Sequence, residues 1–215
     1  MRLQELPPFK SIPIKVVYQA SGLSERSALS DLKSNTQTRY FLHVGVLEKR
    51  KNLGILITAF DKLARMVGFE DLRLVLVGQR GPRETLDDYD HLVELVTTLG
   101  LTEKVDFTGY VSQDQLASYF HHALGYVFPS VNEGFGLPVL EAFSFGLPVI
   151  ISRQGALMEV AGDAALILEK NDVESLFQSM KLLVDDPDLR KELGEKGRIR
   201  LQEFSAEKFS LSLEQ

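Results

Sequence analysis

The chain has 215 residues, of which 44% are hydrophobic and 25% charged, and its formal net charge is −6. This length and composition predict one folded domain with tails and exclude the disordered and fibrous classes. The chain contains no cysteine, which excludes disulfides, thiolate metal sites and cysteine nucleophiles. Its acidic balance argues against general nucleic-acid binding, which draws on clustered Lys and Arg.

The amino-terminal run MRLQELPPFKSIP lacks the apolar region of a signal peptide. No run approaches the ~20 consecutive apolar residues that a membrane-spanning helix needs. We therefore expect a cytoplasmic protein. Residues 1–38 are less regular than the rest, and within them IPIKVVYQ is a candidate edge strand.

Six short runs rich in Val, Leu and Phe follow, separated by segments of helical period. Their near-continuous apolar character is typical of strands that are covered on both faces, as in a parallel sheet. The predicted strands span residues 40–47, 72–78, 104–111, 124–130, 147–152 and 164–169. The alternation of strand and helix predicts an α/β fold with a doubly wound parallel sheet.

The helices between these strands have recognisable ends. Asn52 is a good N-cap for the first helix, and Gly100 is expected to close the second. Ser112 is a plausible cap for the third, and Pro138 suits the first position of a helix through Phe143. Two charged helices follow the last strand.

The run NEGFGLPVLE, which follows the fourth predicted strand, is the first candidate site. In a doubly wound sheet, ligands bind beyond the carboxyl ends of the strands. Gly134 and Gly136 would let backbone N–H groups approach a phosphate, and Glu141, in the first turn of the next helix, could bind ribose hydroxyls. Glu133 is expected to face the open cleft. The alternative is a tight turn followed by an acid that the helix dipole favours.

A second candidate site follows the first strand, where VGVLEKRKN places Gly45 at the strand end and Arg50 and Lys51 before a helix. Two adjacent cations at a helix N-terminus repel each other and oppose the helix dipole, so an anionic ligand would stabilise them. The alternative is a pair of solvated surface cations.

Several linked motifs carry a family resemblance: VGVLEKRKN, LVLVGQRG, VDFTGYVSQDQLASYF, VFPSVNEGFGLPVLEAFSFGLPVI and EVAGDAALILEKNDVESL. In this order and spacing they resemble the retaining glycosyltransferases of family 4, and specifically the C-terminal nucleotide-sugar-binding domain of that two-domain GT-B architecture. The resemblance implies that residues 39–215 form this Rossmann-like domain with C-terminal helices. It also implies that residues 1–38 belong to the inter-domain linker, and that the N-terminal acceptor domain is absent.

The resemblance assigns roles to individual residues. The E-x7-E signature falls on Glu133 and Glu141, so Glu133 would be the catalytic carboxylate beside the transferred sugar and Glu141 would bind the ribose. Arg50 and Lys51 would hold the donor diphosphate. The resemblance implies further donor contacts, largely through backbone groups, from Gly45, Tyr110, Val111, Gly134, Phe135, Gly136 and Leu137. Many members carry Arg where this chain has Val46, so one phosphate contact is missing or supplied elsewhere.

Such enzymes transfer a hexose from a nucleotide sugar to a saccharide or lipid-linked acceptor with retention, and they normally need no metal or cofactor. GDP-mannose or a UDP-sugar is the expected donor. A missing N-terminal domain, or a partner subunit of a split enzyme, would supply the acceptor site and any peripheral membrane association. A non-catalytic nucleotide-sugar-binding module is the alternative. A related epimerase stays open, a phosphorylase is disfavoured because no pyridoxal-bearing lysine segment is found, and a dehydrogenase is disfavoured because no strand precedes G-x-G-x-x-G.

Overall fold

The computed structural model describes residues 39–204 and contains a six-stranded parallel sheet with helices on both faces. The strands lie in the order β3-β2-β1-β4-β5-β6, and every pairing between them is parallel. They are β1 (Tyr40–Val44), β2 (Arg73–Val77), β3 (Val105–Gly109), β4 (Gly125–Phe128), β5 (Val149–Ile151) and β6 (Ala165–Ile167). The predicted doubly wound α/β fold is confirmed.

All six predicted strands are present, but each is shorter than its apolar run, because these runs continue beyond the strand ends into the connecting segments. The candidate edge strand IPIKVVYQ lies outside the described residues. The helices are α1 (Leu53–Ala64), α2 (Tyr89–Thr98), α3 (Gln113–His122), α4 (Leu137–Ser144), α5 (Gly155–Ala161), α6 (Val173–Asp185) and α7 (Pro187–Leu201). Short 3-10 helices span Lys49–Lys51 and Gln202–Phe204.

Successive residues of each strand point to opposite faces and so supply two separate cores. Phe41 packs with α1, α2 and α6 on one face, while its neighbour Leu42 packs with α3, α4 and α5 on the other. This two-sided burial explains why the strand sequences show no polar alternation. None of the described helices is both long and apolar enough to cross a membrane.

The helix ends confirm two of the predicted signals and correct two. Ser112 forms a reciprocal capping box at the start of α3, and Gly100, at φ 72°, follows the end of α2. Asn52 precedes α1 but its side chain caps nothing; its φ of 54° is a left-handed conformation that Asn tolerates, and its N–H donates to the Lys49 carbonyl. Pro138 is the second residue of α4, which begins at Leu137.

Helix α7 packs closely against α4 because two of its residues lack side chains. A Cβ built at Gly194 would lie 2.3 Å from the Gly146 carbonyl oxygen, and one at Gly197 would lie 2.5 Å from the Phe143 ring. Both positions lie in the middle of a helix, where glycine costs about 1 kcal/mol relative to alanine. Close helix packing therefore fixes α4, the helix that follows the first candidate site.

Candidate active site

Strands β1 and β4 are neighbours in the sheet, but the helices that follow them lie on opposite faces. This divergence opens a crevice at the carboxyl ends of the two strands, which is where doubly wound sheets bind ligands. The Lys49–Lys51 turn borders the crevice on one side, and the loop between β4 and α4 borders it on the other. The two candidate sites in the sequence therefore meet at one place.

The two sides of the crevice are joined by a cluster of four charged residues. Oε1 of Glu133 lies 2.7 Å from Nζ of Lys51 and 2.8 Å from Nη1 of Arg50. Nε of Arg50 donates to Oε2 of Glu48 at 2.7 Å. The formal charges of these four side chains sum to zero. The repulsion expected between Arg50 and Lys51 is thus relieved by two carboxylates of the protein itself.

The side chains of this cluster are buried to different extents. The side chains of Lys51 and Glu133 are only 6% and 9% exposed, whereas that of Arg50 is 40% exposed. Burial alone would raise the pKa of Glu133, but the hydrogen bond and charge of Lys51 outweigh it and hold that pKa below its usual value. Burial lowers the pKa of Lys51, and Glu133 offsets only part of this effect. Glu133 therefore points onto two cations and not into an open cleft.

The loop between β4 and α4 is held from both flanks. Val131 N donates to the Arg50 carbonyl at 2.8 Å, which ties the loop to the β1 side. On the other flank Nε2 of Gln154 donates to the Glu133 carbonyl at 3.2 Å, and the Oε1 atom of the same side chain caps α5 at Leu157 N. Gly136 enters α4 at φ 104°, in the left-handed region, where a side chain would be strained and would also collide with Leu157.

Gly134, Phe135 and Leu137 are the other residues of this loop that were predicted to contact the donor. Gly134 has open space where a side chain would stand. The ring of Phe135 packs edge-on against Phe204, with ring centroids 6.0 Å apart. Leu137 is the first residue of α4. Backbone N–H groups at this helix start suit an anion.

Glu141 does not lie in the first turn of α4 as the sequence suggested, because the helix begins at Leu137 and Glu141 is its fifth residue. Within residues 39–204, its carboxylate has no hydrogen bond or ion pair with another side chain. Burial raises its pKa above the usual value. Its charge also contributes, after burial, to the raised pKa of Tyr126, whose hydroxyl donates to the Val44 carbonyl at 3.3 Å. Glu141 is thus a poorly solvated acceptor that no side chain of the described residues pairs with.

A cleft of about 260 Å³ lies at the carboxyl ends of β1, β2 and β3, beside the charged cluster. It includes three predicted donor-binding residues, Gly45, Tyr110 and Val111, and is lined by these together with Val44, Val46, Val77, Gly78, Gln79 and Gly109. Gly45 connects the cleft to the cluster, because a Cβ built there would lie 3.4 Å from Nζ of Lys51. The ring of Tyr110 is 78% exposed at the rim.

Two glycines shape the floor of this cleft. A Cβ built at Gly78 would lie 1.9 Å from the carbonyl oxygen of Gly45, so no side chain fits at that position. Gly78 also has a φ of 145°, a conformation that side chains rarely adopt. The backbones of β1 and β2 therefore come close together at their carboxyl ends.

Two polar residues of this region were not predicted from the sequence: Glu48, a member of the cluster, and His43, which lies beside it. His43 on β1 is completely buried, stacks on Tyr126, and lies 2.9 Å through Nδ1 from the Val127 carbonyl, which makes Nδ1 the protonated nitrogen. Among residues 39–204 its Nε2 atom has no hydrogen-bond partner, and burial lowers the pKa of the imidazole to about 4. Glu48 is 8% exposed. The signal for His43 is a histidine within the apolar run 40–47, and the signal for Glu48 is an acid placed directly before three consecutive cations.

Two other charged groups near the strand ends, Arg80 and the acids at 87–90, lie outside the site. Arg80 does not line the cleft; its guanidinium pairs with Asp90 and stands over the Tyr89 ring, 4.4 Å from the centroid. The DDYD run at 87–90 leads into α2, and Asp87 accepts a hydrogen bond from Gly81 N. Within the described range, no group of three or more His, Cys, Asp or Glu side chains is arranged to hold a metal ion.

Comparison with known proteins finds relatives that match most of this chain. The family described as glycosyl transferases group 1 matches residues 25–200. O-antigen chain mannosyltransferase B of Escherichia coli is 35% identical over 168 residues, which are 78% of this chain and 42% of that protein. The MMP alpha-(1->4)-mannosyltransferase of Mycolicibacterium hassiacum is 33% identical over 66% of this chain and 34% of its own length. The chain thus spans less than half of either relative.

Solved structures give the same picture of the fold. Sucrose-phosphate synthase from Thermosynechococcus elongatus superposes with a TM-score of 0.77 at 27% identity, over 90% of this chain and 50% of that one. The C-terminal domain of the group 1 glycosyl transferase LpcC from Francisella tularensis superposes with a TM-score of 0.66 at 23% identity, over 86% of this chain and 94% of that domain. The fold is therefore that of one Rossmann-like half of a GT-B glycosyltransferase.

Proposed function

This chain belongs to the glycosyl transferases group 1 family, and on that premise we propose that it binds a nucleoside-diphosphate sugar and supplies the donor half of a retaining hexosyltransferase. The proposal depends on one observation. Arg50, Lys51 and Glu133 lie in one cluster at the carboxyl ends of β1 and β4, where the following helices diverge to opposite faces of the sheet. At Gly45 the cluster adjoins a cleft that is well placed to hold the nucleotide base of the donor.

Each part of the donor has a matching group. The base would lie in the cleft over the backbone of Tyr110 and Val111, and Glu141 would accept hydrogen bonds from the ribose hydroxyls. The diphosphate would lie between Arg50 and Lys51 on one side and the N–H groups that lead into α4 on the other, where the helix dipole favours negative charge. Glu133 would then face the hexose. No metal or cofactor is required by this arrangement.

The reaction would use these groups to stabilise charge. The bond between the anomeric carbon and the phosphate oxygen breaks, and the acceptor oxygen forms the new bond on the same face of the sugar. The acceptor proton passes to the leaving phosphate. Glu133 would stabilise the positive charge that develops on the sugar, and the two cations would stabilise the departing diphosphate. The acceptor, a saccharide or a lipid-linked saccharide, would bind in a further part of the working enzyme.

Mannose is the hexose we favour, because the two most relevant relatives named above are mannosyltransferases. GDP-mannose is therefore the first donor to test, with UDP-sugars next. A non-catalytic donor-binding module, or a subunit of a split enzyme, would bind the same ligands. Only the non-catalytic module would show no dependence of function on the Glu133 carboxylate; in an assembled split enzyme, transfer would still require it.

The proposal is tested by nucleotide titration of the full chain. A ligand that binds only the folded state at 100 times its Kd stabilises it by about 2.7 kcal/mol, so GDP, UDP and ADP are added separately while thermal unfolding is followed. We expect one of GDP and UDP to raise Tm, and Lys51→Met to abolish the shift. Lys181→Met, which removes a cation paired with Asp185 on α6, is the matched control and should leave the shift intact. Absence of any shift with wild-type protein would sink the proposal.

A further inference from the structure

Glu48 is a buried acid inside the VGVLEKRKN motif, and neither the resemblance nor the proposed donor contacts give it a role. It follows β1 in the loop that leads to Arg50, and it is only 8% exposed. A carboxylate in so dry a place is costly unless it is paired. Its pairing is specific, because Oε2 accepts a hydrogen bond from Nε of Arg50 at 2.7 Å.

Arg50 is held by two acids that use different nitrogens. Nε is bound to Glu48, while Nη1 lies 2.8 Å from Glu133 and 3.3 Å from the Asn132 carbonyl. Within the described part of the chain, Nη2 has no hydrogen-bond partner, and the side chain as a whole is 40% exposed. The guanidinium is therefore fixed in direction and still has a nitrogen free for an anion.

The segment between β2 and α2 encloses Glu48. Lys49 N donates to the Leu86 carbonyl at 2.9 Å, and Asp88 N donates to the Leu47 carbonyl at 3.0 Å. The backbones of Glu48 and Asp87 form an isolated antiparallel β-bridge. A Cβ built at Gly81 would lie 3.2 Å from Cγ of Glu48. This segment thus shields the carboxylate from water and leaves it little room to turn, so the hydrogen bond to Arg50 is made in a low-dielectric setting where it is strong.

We propose that Glu48 is the positioning residue of the diphosphate site: it holds Arg50 so that Nη2 receives a phosphate oxygen of the nucleoside diphosphate. This inference rests on the proposed function and adds a determinant to it. A long, half-exposed arginine loses rotamer freedom when it binds an anion, and a preformed anchor removes most of that cost. The anchor also occupies Nε of Arg50, so that Arg50 meets the Glu133 carboxylate through Nη1 alone.

The test compares affinities for a nucleoside diphosphate and its monophosphate by calorimetry on the full chain. We expect Glu48→Ala to weaken diphosphate binding by about tenfold, the size of one charge-assisted hydrogen bond, and to change monophosphate binding by less than about twofold. Glu48→Gln keeps an acceptor for Nε, so its loss should be intermediate. Asp61→Ala removes a comparably shielded acid from Arg65 on α1 and should change neither affinity.

A double-mutant cycle separates positioning from general stability. If Glu48 acts through Arg50, Glu48→Ala will cause no further loss of affinity in an Arg50→Ala background. Additive losses, or equal losses for the two nucleotides, would show a merely structural role and overturn the inference. If wild-type protein binds the diphosphate and Glu48→Gln and Glu48→Ala both bind it equally well, only the positioning role fails. If wild-type protein binds no nucleotide, the proposed function fails with it.

Discussion

Nζ of Lys51 and Oε1 of Glu133 lie 2.7 Å apart, although 82 positions separate these residues in the chain. The contact links the turn after β1 to the loop after β4. In the proposed function the two groups address different parts of one ligand, the diphosphate and the sugar. Donor binding therefore has to loosen a pair that stabilises the ligand-free protein, and changes on either side of the pair should have opposite effects.

The first prediction concerns Glu133→Gln. The amide keeps the size and an acceptor oxygen but removes the charge that competes with the diphosphate for Lys51 and Arg50. We expect nucleoside diphosphate affinity to be unchanged or higher, while the turnover of the complete enzyme falls roughly 100-fold through loss of charge stabilisation. Calorimetry and steady-state transfer assays measure the two effects. A variant that transfers sugar at the wild-type rate would exclude Glu133 from catalysis.

The second prediction concerns Glu141→Gln. Burial raises the pKa of Glu141, so ionising this carboxyl costs more in the folded state than in the unfolded state, where water hydrates the carboxylate freely. Removing the charge should raise the free energy of unfolding at pH 7, and the gain should vanish as the pH falls below the unfolded pKa of about 4.3. Urea titrations at neutral and acid pH measure this gain.

The same substitution should weaken ribose recognition. Hydrogen bonds from hydroxyls to a carboxylate contribute about 1.5–3 kcal/mol, so wild-type protein should prefer a ribonucleoside diphosphate to its 2′-deoxy counterpart and Glu141→Gln should lose most of this preference. The control is Glu159→Gln on α5, which should keep it. Equal discrimination by wild-type protein and Glu141→Gln would remove the ribose role.

The third prediction concerns His43 and the pH dependence of stability. Burial lowers the pKa of His43 to about 4, against about 6.5 in an unfolded chain. The unfolded state therefore binds more protons than the folded state between these values, and stability should fall as the pH drops from about 6.5 toward 4. Linkage puts the loss near 2 kcal/mol between pH 7 and pH 5. His43→Phe, which cannot titrate, should show a flatter profile by that amount, and parallel profiles would contradict it.

The fourth prediction concerns Gln154, which caps α5 and holds the Glu133 carbonyl. Gln154→Ala should lower the free energy of unfolding by about 1 kcal/mol, the usual cost of a lost cap, and should also weaken donor binding because the loop after β4 loses one of its flanks. Asp186→Ala is the matched control: it removes the cap of α7 at Leu189 N. It should cost similar stability and leave affinity alone. Equal affinity in both variants would show that Gln154 only caps.

The strands and their parallel arrangement could be predicted because strands that are buried on both faces are apolar at nearly every position. This signal is local to each strand and requires no knowledge of its tertiary contacts. The same holds for Ser112 and Gly100, whose effects are local. Asn52 was misjudged because its side chain and its backbone compete: a residue favoured as a cap is also one of the few that tolerates φ 54°. The predicted start of α4 was wrong by one residue, which moves Glu141 from the fourth to the fifth position of the helix, because helix starts are set by loop geometry.

The contacts of the candidate site could not be predicted in detail. Glu48 is enclosed by the segment between β2 and α2, and His43 contacts a backbone carbonyl 84 positions away in the chain. Both are consequences of tertiary packing. The resemblance to a known family supplied the residues of the site, but it gave no hint that Glu133 is paired with both cations when no ligand is bound.

The floor and the rim of the cleft differ in their tolerance of substitution. At the floor, the backbones of Gly45 and Gly78 lie in close contact. With a built Cβ only 1.9 Å from a carbonyl oxygen, the floor tolerates no substitution. Val46 and Tyr110, which are 37% and 78% exposed at the rim, carry no such restriction. An engineer who wants another base accepted should randomise these two codons and leave both glycines untouched.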